Sequence, residues 1–168
     1  MIENACAWVY GDDIDTDVLA PAPYLTRPVE ESALHCLEAL DPDFATSVQP
    51  GDVFVAGENL GVGSSRENAP QHLQHLGVSV VLARSYGRIF YRNAMNLGLP
   101  ALVCPRANRI ATGDRLDVDP LSGDVRNLTT GERLHCEPLP EHLIAMLADG
   151  GLIAHLEKRF TAAAKKDG

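Results

Sequence analysis

Asp52-Val53-Phe54-Val55-Ala56-Gly57-Glu58-Asn59-Leu60-Gly61-Val62-Gly63-Ser64-Ser65-Arg66-Glu67-Asn68-Ala69-Pro70 is the stretch on which the fold turns. Its first five residues have the β-branched, aromatic and small apolar character of a buried strand. A glycine-rich loop, 57–65, follows. A helix is predicted over about 67–76, with Ala69, Leu73 and Leu76 inward and Gly77 as its stop. Downstream, Val78-Ser79-Val80-Val81-Leu82-Ala83 reads as a second buried strand, 86–97 as a helix ended by Gly98, and Ala101-Leu102-Val103-Cys104 as a third strand. Strand–helix–strand–helix–strand at this spacing implies parallel strands with right-handed crossovers. A ligand site is expected where strand C-termini meet loops, and loop 57–65 stands at such an end.

Upstream, Ala7-Trp8-Val9-Tyr10 is strand-like and Gly11-Asp12-Asp13 breaks it. Asp15-Thr16-Asp17 leads into Pro21-Ala22-Pro23-Tyr24-Leu25-Thr26-Arg27-Pro28, whose three prolines favour an extended, mobile loop. Residues 30–40 predict a helix with Ala33, Leu34, Leu37 and Leu40 on its apolar face. Between 113 and 139, turns at Asp119-Pro120-Leu121-Ser122-Gly123 and Thr129-Thr130-Gly131-Glu132 separate short strands of an antiparallel meander. A last helix follows Pro140, is interrupted at Gly150-Gly151, and gives way to a polar tail from about 161. With no internal repeat and no linker, 1–168 reads as one domain.

The net charge of −9 argues against nucleic-acid or anionic-membrane partners, which select a basic face. No run of about 18 apolar residues exists to cross a bilayer, and the N-terminus lacks a basic region leading into an apolar run, so a cytoplasmic location is expected. Cys6, Cys36, Cys104 and Cys136 form no close pair and are expected to be small buried hydrophobes, with no metal bound by this chain. His72 and His75 share a helix side without a third ligand and are expected at the surface. Trp8 and Tyr10 read as core or interface.

The glycines of the loop let backbone approach a ligand closely. Ser64 and Ser65 are expected at a helix N-terminus, whose free amides favour anions, and Arg66 adds a planar cationic fork. Read by spacing alone, the serines serve equally well as helix caps with Glu67 countering the dipole. The known glycine loops do not fit. Arg66 stands where a dinucleotide fingerprint needs glycine, no Gly-Lys-Ser/Thr follows, and the run lacks the last glycine of a serine-hydrolase elbow.

Gly61-Val62-Gly63-Ser64-Ser65-Arg66-Glu67, then Ser85-Tyr86-Gly87-Arg88-Ile89-Phe90-Tyr91-Arg92-Asn93, then Asn96-Leu97-Gly98-Leu99-Pro100 resemble the small subunits of isopropylmalate dehydratases and the C-terminal swivel domain of the aconitase superfamily. Gly11-Asp12-Asp13-Ile14-Asp15-Thr16-Asp17 resembles the family's opening motif, so the likeness covers about the first 105 residues in family order. Two positions depart: Asn68 stands where the family usually has His, and Leu60-Gly61 where it often has Phe-Gly.

The resemblance implies an α/β fold, a swivelling three-layer β/β/α domain whose mixed sheet has a small antiparallel part. It implies a hydro-lyase acting on small di- and tricarboxylates, working with a large subunit that holds a 4Fe-4S cluster. The substrate is isopropylmalate, or that of a related homoaconitase, dimethylmalate or citraconate hydratase. A non-catalytic anion-binding module on the same fold is the competing class. By this likeness Ser64 is the general base, supported by Asp17; Ser65 and Arg66 hold substrate carboxylate. Tyr24, Leu25, Thr26 and Arg27 match the segment that reads the substrate's variable group, with Arg27 either in contact or solvated. Arg88 and Arg92, four apart on one helix face, point to the site, to the partner or to surface ion pairs.

Overall fold

The computed structural model describes residues 1–165 and is built on one seven-stranded mixed sheet in the order β4-β3-β2-β1-β5-β6-β7. Strands β1 (Ile2–Val9), β2 (Val53–Ala56), β3 (Val80–Ala83) and β4 (Ala101–Val103) run parallel. Strands β5 (Arg115–Val118), β6 (Asp124–Asn127) and β7 (Arg133–His135) continue from the other edge of β1 as the antiparallel meander.

The three layers follow from side-chain alternation. Every residue of β2 and β3 is buried, as in a strand covered on both faces. Phe54, Ala56, Val81 and Ala83 face one apolar cluster with Leu73, Phe90 and Leu99 from the helical side. Val53, Val55, Val80 and Leu82 face a second cluster with Leu116, Val118, Val125 and Leu134. The meander therefore curls back over the rear of the parallel strands. The bend starts in β1, where the pairing with β5 shifts register between Ile2 and Ala5 and Asn4 takes a φ of 51°.

Seven helices complete the described chain: α1 (Thr16–Leu19), α2 (Val29–Ser32), α3 (Phe44–Ser47), α4 (Asn68–His75), α5 (Arg88–Asn96), α6 (Glu141–Ala148) and α7 (Leu152–Ala164). Helix α4 stops where expected, at Gly77 with φ 99°; a Cβ there would lie 2.7 Å from Pro50 Cα. Trp8 and Tyr10 pack edge-on against Phe44, and Tyr10 donates from its hydroxyl to Asp41 Oδ2 at 2.8 Å.

Two expectations need correction. Residues 30–40 do not form one helix: α2 ends at Ser32, a 3₁₀ turn covers Ala33–His35, and Leu37 sits at φ 63°. A tertiary bond overrides the periodicity, because Leu37 N–H donates to Val18 O at 2.9 Å rather than up its own helix. Leu34 and Leu40 consequently face solvent. His72, expected at the surface, is fully buried. Its Nδ1 lies 3.0 Å from Leu19 O and its Nε2 2.9 Å from Ser32 Oγ. A carbonyl oxygen only accepts, so Nδ1 carries the proton and Nε2 accepts from the hydroxyl. Burial lowers the pKa of His72, which favours the neutral ring.

Candidate active site

The serine loop is held by the acidic segment that follows β1. Asp12 Oδ1 accepts from Glu58 N–H at 2.7 Å, and Asp13 N–H donates to Glu58 O at 2.8 Å. Asn59 Nδ2 donates to Asp13 Oδ1 at 2.9 Å, and Asp15 caps α1 by accepting from Val18 N–H at 2.9 Å. The backbones lock directly as well: Gly61 N–H donates to Ile14 O at 2.7 Å and Thr16 N–H to Val62 O at 3.0 Å. Buried Thr16 then donates from its hydroxyl to Ser64 O at 3.0 Å. Gly11-Asp12-Asp13-Ile14-Asp15-Thr16-Asp17 is thus the cradle on which the loop rests.

Glycine is required at two points of that cradle. A Cβ on Gly57 would sit 1.8 Å from Asp12 Oδ1, and one on Gly61, at φ 79°, would sit 2.2 Å from the Phe90 ring. The two chain segments and α5 are packed so closely there that no side chain fits between them.

Ser64 and Ser65 are exposed and lie ahead of the helix, not on its first turn. Helix α4 begins at Asn68 with Glu67 at its N-cap position, and no side chain caps it. The cap reading therefore fails for both serines, and so does their expected placement at the helix terminus. Among the described residues, the amides of Gly63, Ser64, Ser65, Arg66 and Glu67 donate to no protein acceptor. A run of unengaged N–H groups beside exposed hydroxyls has the donors that an oxyanion would need.

Arg66 completes it. Its Nη1 donates to Ala20 O at 2.8 Å and pairs with Asp17 Oδ1, so the guanidinium is fixed from one side. The rest of the fork, Nη2 and Nε, is left to bind a carboxylate. The exposed Asp17 carboxylate sits at the rim beside Arg66. His72 supports the same place from below, because Leu19, whose carbonyl it holds, immediately precedes Ala20.

Residues 20–27 start at this anchor. Ala22–Tyr24 form a 3₁₀ turn, Leu25 packs against the core, and Thr26 is exposed. Tyr24 stacks on His35 with ring centroids 3.5 Å apart, and the exposed Arg27 lies over the Tyr24 ring at 5.4 Å. His35 Nδ1 is 2.6 Å from Glu38 Oε2, closing a column of four side chains. Thr16 and Asp12 were not picked out by sequence reasoning, and His72 was read only as a surface residue. The only signal for Thr16 and Asp12 was membership of the Gly11–Asp17 motif.

Among the described residues, no three His, Cys, Asp or Glu side chains come together as a metal-holding group. Cys36, Cys104 and Cys136 are buried. Burial pushes the Cys36 thiol up.

The sheet and its glycine-serine-serine-arginine loop fall in the class of aconitase C-terminal domains: a family profile described as "Aconitase C-terminal domain" matches residues 27–107, which include that loop. The chain is 49% identical over 154 residues to a 3-isopropylmalate dehydratase small subunit of Methanopyrus kandleri, covering 90% of this chain and 91% of that one. It is 44% identical over 152 residues to a methanogen homoaconitase small subunit of Methanothermobacter thermautotrophicus, covering 90% and 88%. A crystal structure of 3-isopropylmalate dehydratase from Methanocaldococcus jannaschii superposes with a TM-score of 0.92 at 39% identity, covering 96% and 97%. The chain belongs to the family of 3-isopropylmalate dehydratase small subunits within the aconitase superfamily.

Proposed function

We propose that this chain is the small subunit of a 3-isopropylmalate dehydratase, interconverting 2- and 3-isopropylmalate by removing and re-adding water as a step of leucine synthesis. The observation that carries the reading is the exposed Ser64 hydroxyl beside unengaged loop amides and a fixed Arg66. The large subunit's 4Fe-4S cluster, when bound, supplies a Lewis acid for the substrate hydroxyl.

This chain's own residues handle the proton and the carboxylate. Ser64 takes the proton from the carbon next to a substrate carboxylate and returns it in the reverse direction. A serine alkoxide is far too basic to persist in water, so the loop must stabilise negative charge on Oγ. Loop amides and the Arg66 guanidinium supply that field without reorganising, since Thr16, Asp17 and Ala20 already hold the loop and the arginine. Ser65 and the free side of Arg66 orient the carboxylate. Residues Tyr24, Leu25, Thr26 and Arg27 read the variable group. Parked over Tyr24, Arg27 offers a charge to a longer diacid, which keeps homoaconitate-type substrates as the second reading. The proposed location is the cytoplasm.

The test is anaerobic co-purification with the native large subunit and hydration assays on isopropylmaleate, dimethylmaleate, citraconate and homoaconitate. Turnover that needs both chains and is fastest on isopropylmaleate supports the reading. A cluster-loaded complex that turns over none of them leaves an anion-binding module.

A further inference from the structure

Beside the serine loop lies a second feature that the chemistry above does not use. A cleft of about 860 Å³ opens between the loop's Gly61–Gly63 segment, the end of β3 and the first turns of α5. Arg84, Arg88 and Arg92 line it, and no carboxylate does. In a chain of net charge −9, three arginines on one wall form a local reversal of sign. Arg84 pairs only with Glu58, at 3.0 Å on the surface, while Arg88 and Arg92 make no ion pair among the described residues. Standing at i and i+4 on α5, those two repel each other in the free chain. Apart from Ser85 and the glycines, the rest of the lining is apolar or aromatic, including Tyr86, Tyr91 and Ile89, the last 38% exposed.

Exposed Arg beside half-buried Tyr and aliphatic surface is the composition of an interface centre. The cleft adjoins the serine loop at Gly63, and Ser64 does not line it. Its walls ask for an occupant that brings carboxylates and apolar side chains together. A polypeptide segment does so; a small diacid offers the charge without filling the aromatic and aliphatic remainder.

We propose that this cleft is where an acidic, partly apolar segment of the large subunit docks. The inference rests on the small-subunit reading and names the surface it uses. Gly61–Gly63 forms both the cleft wall and the start of the serine loop, so docking there fixes the loop against the partner. A carboxylate between Arg88 and Arg92 also relieves their mutual repulsion.

The experiment uses the full chain and its large subunit, measuring subunit affinity anaerobically at low and high salt, then kinetics at saturating large subunit. The Arg88→Glu/Arg92→Glu double variant is expected to weaken the Kd at least tenfold and flatten its salt dependence, with kcat within twofold of wild type. Arg88→Gln/Arg92→Gln, which removes charge without reversing it, is expected to weaken the Kd by a smaller factor at unchanged Tm. An unchanged Kd with a raised KM would overturn the proposal and assign the cleft to substrate carboxylate. An unchanged Kd and unchanged kinetics would also overturn it, leaving a solvated face. Failure of the wild-type chain to bind any large subunit would instead remove the parent reading.

Discussion

His72 is the position at which a substitution reports most directly on how the site is supported. Leucine there keeps an apolar side chain in the core but leaves Leu19 O and Ser32 Oγ without their partner. Both His72 and Ser32 are fully buried, so water does not replace the lost bonds. Each buried group left unsatisfied costs about 1–3 kcal/mol, and the Ser32 hydroxyl can rotate, so His72→Leu is expected to lose about 2–4 kcal/mol. Adding Ser32→Ala removes one orphan, so the double variant should be less unstable than the sum of the singles. Urea unfolding of the free chain, with Cm compared at constant m, measures both. The pH dependence gives a second reading. Desolvation is the main cause that lowers the pKa of His72 in the folded chain, with Leu19 O opposing and His75 and His35 adding to the decrease. The unfolded ring, near pH 6.5, therefore binds more protons, and stability rises with pH. Its contribution is present above about pH 6.5 and is lost as pH falls through the depressed folded value. Wild type should lose stability below that pH more steeply than His72→Leu. A variant within about 0.5 kcal/mol of wild type, with a parallel pH profile, would refute the account of His72 as a satisfied anchor.

Other substitutions test neighbouring parts of the structure. Gly61→Ala puts a Cβ 2.2 Å from the Phe90 ring at a φ of 79°. Strain of that kind costs about 1–3 kcal/mol, so Tm should fall by several degrees; an unchanged Tm would mean that α5 yields freely. Asn127→Ala removes the donor to Asp114 Oδ2 at 2.7 Å and the acceptor for the amides of Thr129 and Thr130. Asp114 is the buried partner and keeps its bond from Ala111 N–H, while the amides of exposed Thr129 and Thr130 can turn to water. A loss of about 1–3 kcal/mol is expected in urea, and retention of wild-type Cm would contradict the meander's dependence on Asn127. Arg66→Lys keeps the charge but replaces the fork by a point donor. The KM for the diacid should rise at least tenfold in the assembled enzyme, and an unaltered KM would remove Arg66 from substrate binding.

The parallel half of the sheet was legible because β2 and β3 are buried on both faces, giving short apolar runs punctuated by Gly57, Gly77 and Gly98. The first half of β1 was not, since Glu3 and Asn4 point to solvent and a bulge breaks the alternation. The 30–40 helix failed because a long-range bond to Val18 O captured Leu37, a contact no local pattern encodes. His72 illustrates the same limit. Its spacing matched a surface helix face, and only the packing of α2 and α1 onto α4 buries it. In the loop, residue types announced an anion site, but the unwound stretch before α4 depends on tertiary bonds from Ile14 and Thr16.

The central claim is that Ser64 is the base. Its hydroxyl is exposed and makes no hydrogen bond among those of the described residues, so Ser64→Ala should leave Tm and large-subunit affinity unchanged. The decisive measurement is kcat of the reconstituted, cluster-loaded complex carrying Ser64→Ala. The account predicts a fall of at least about 10²-fold with little change in KM, in line with loss of a positioned proton-transfer group. A complex that assembles normally and retains more than a tenth of wild-type kcat would contradict it.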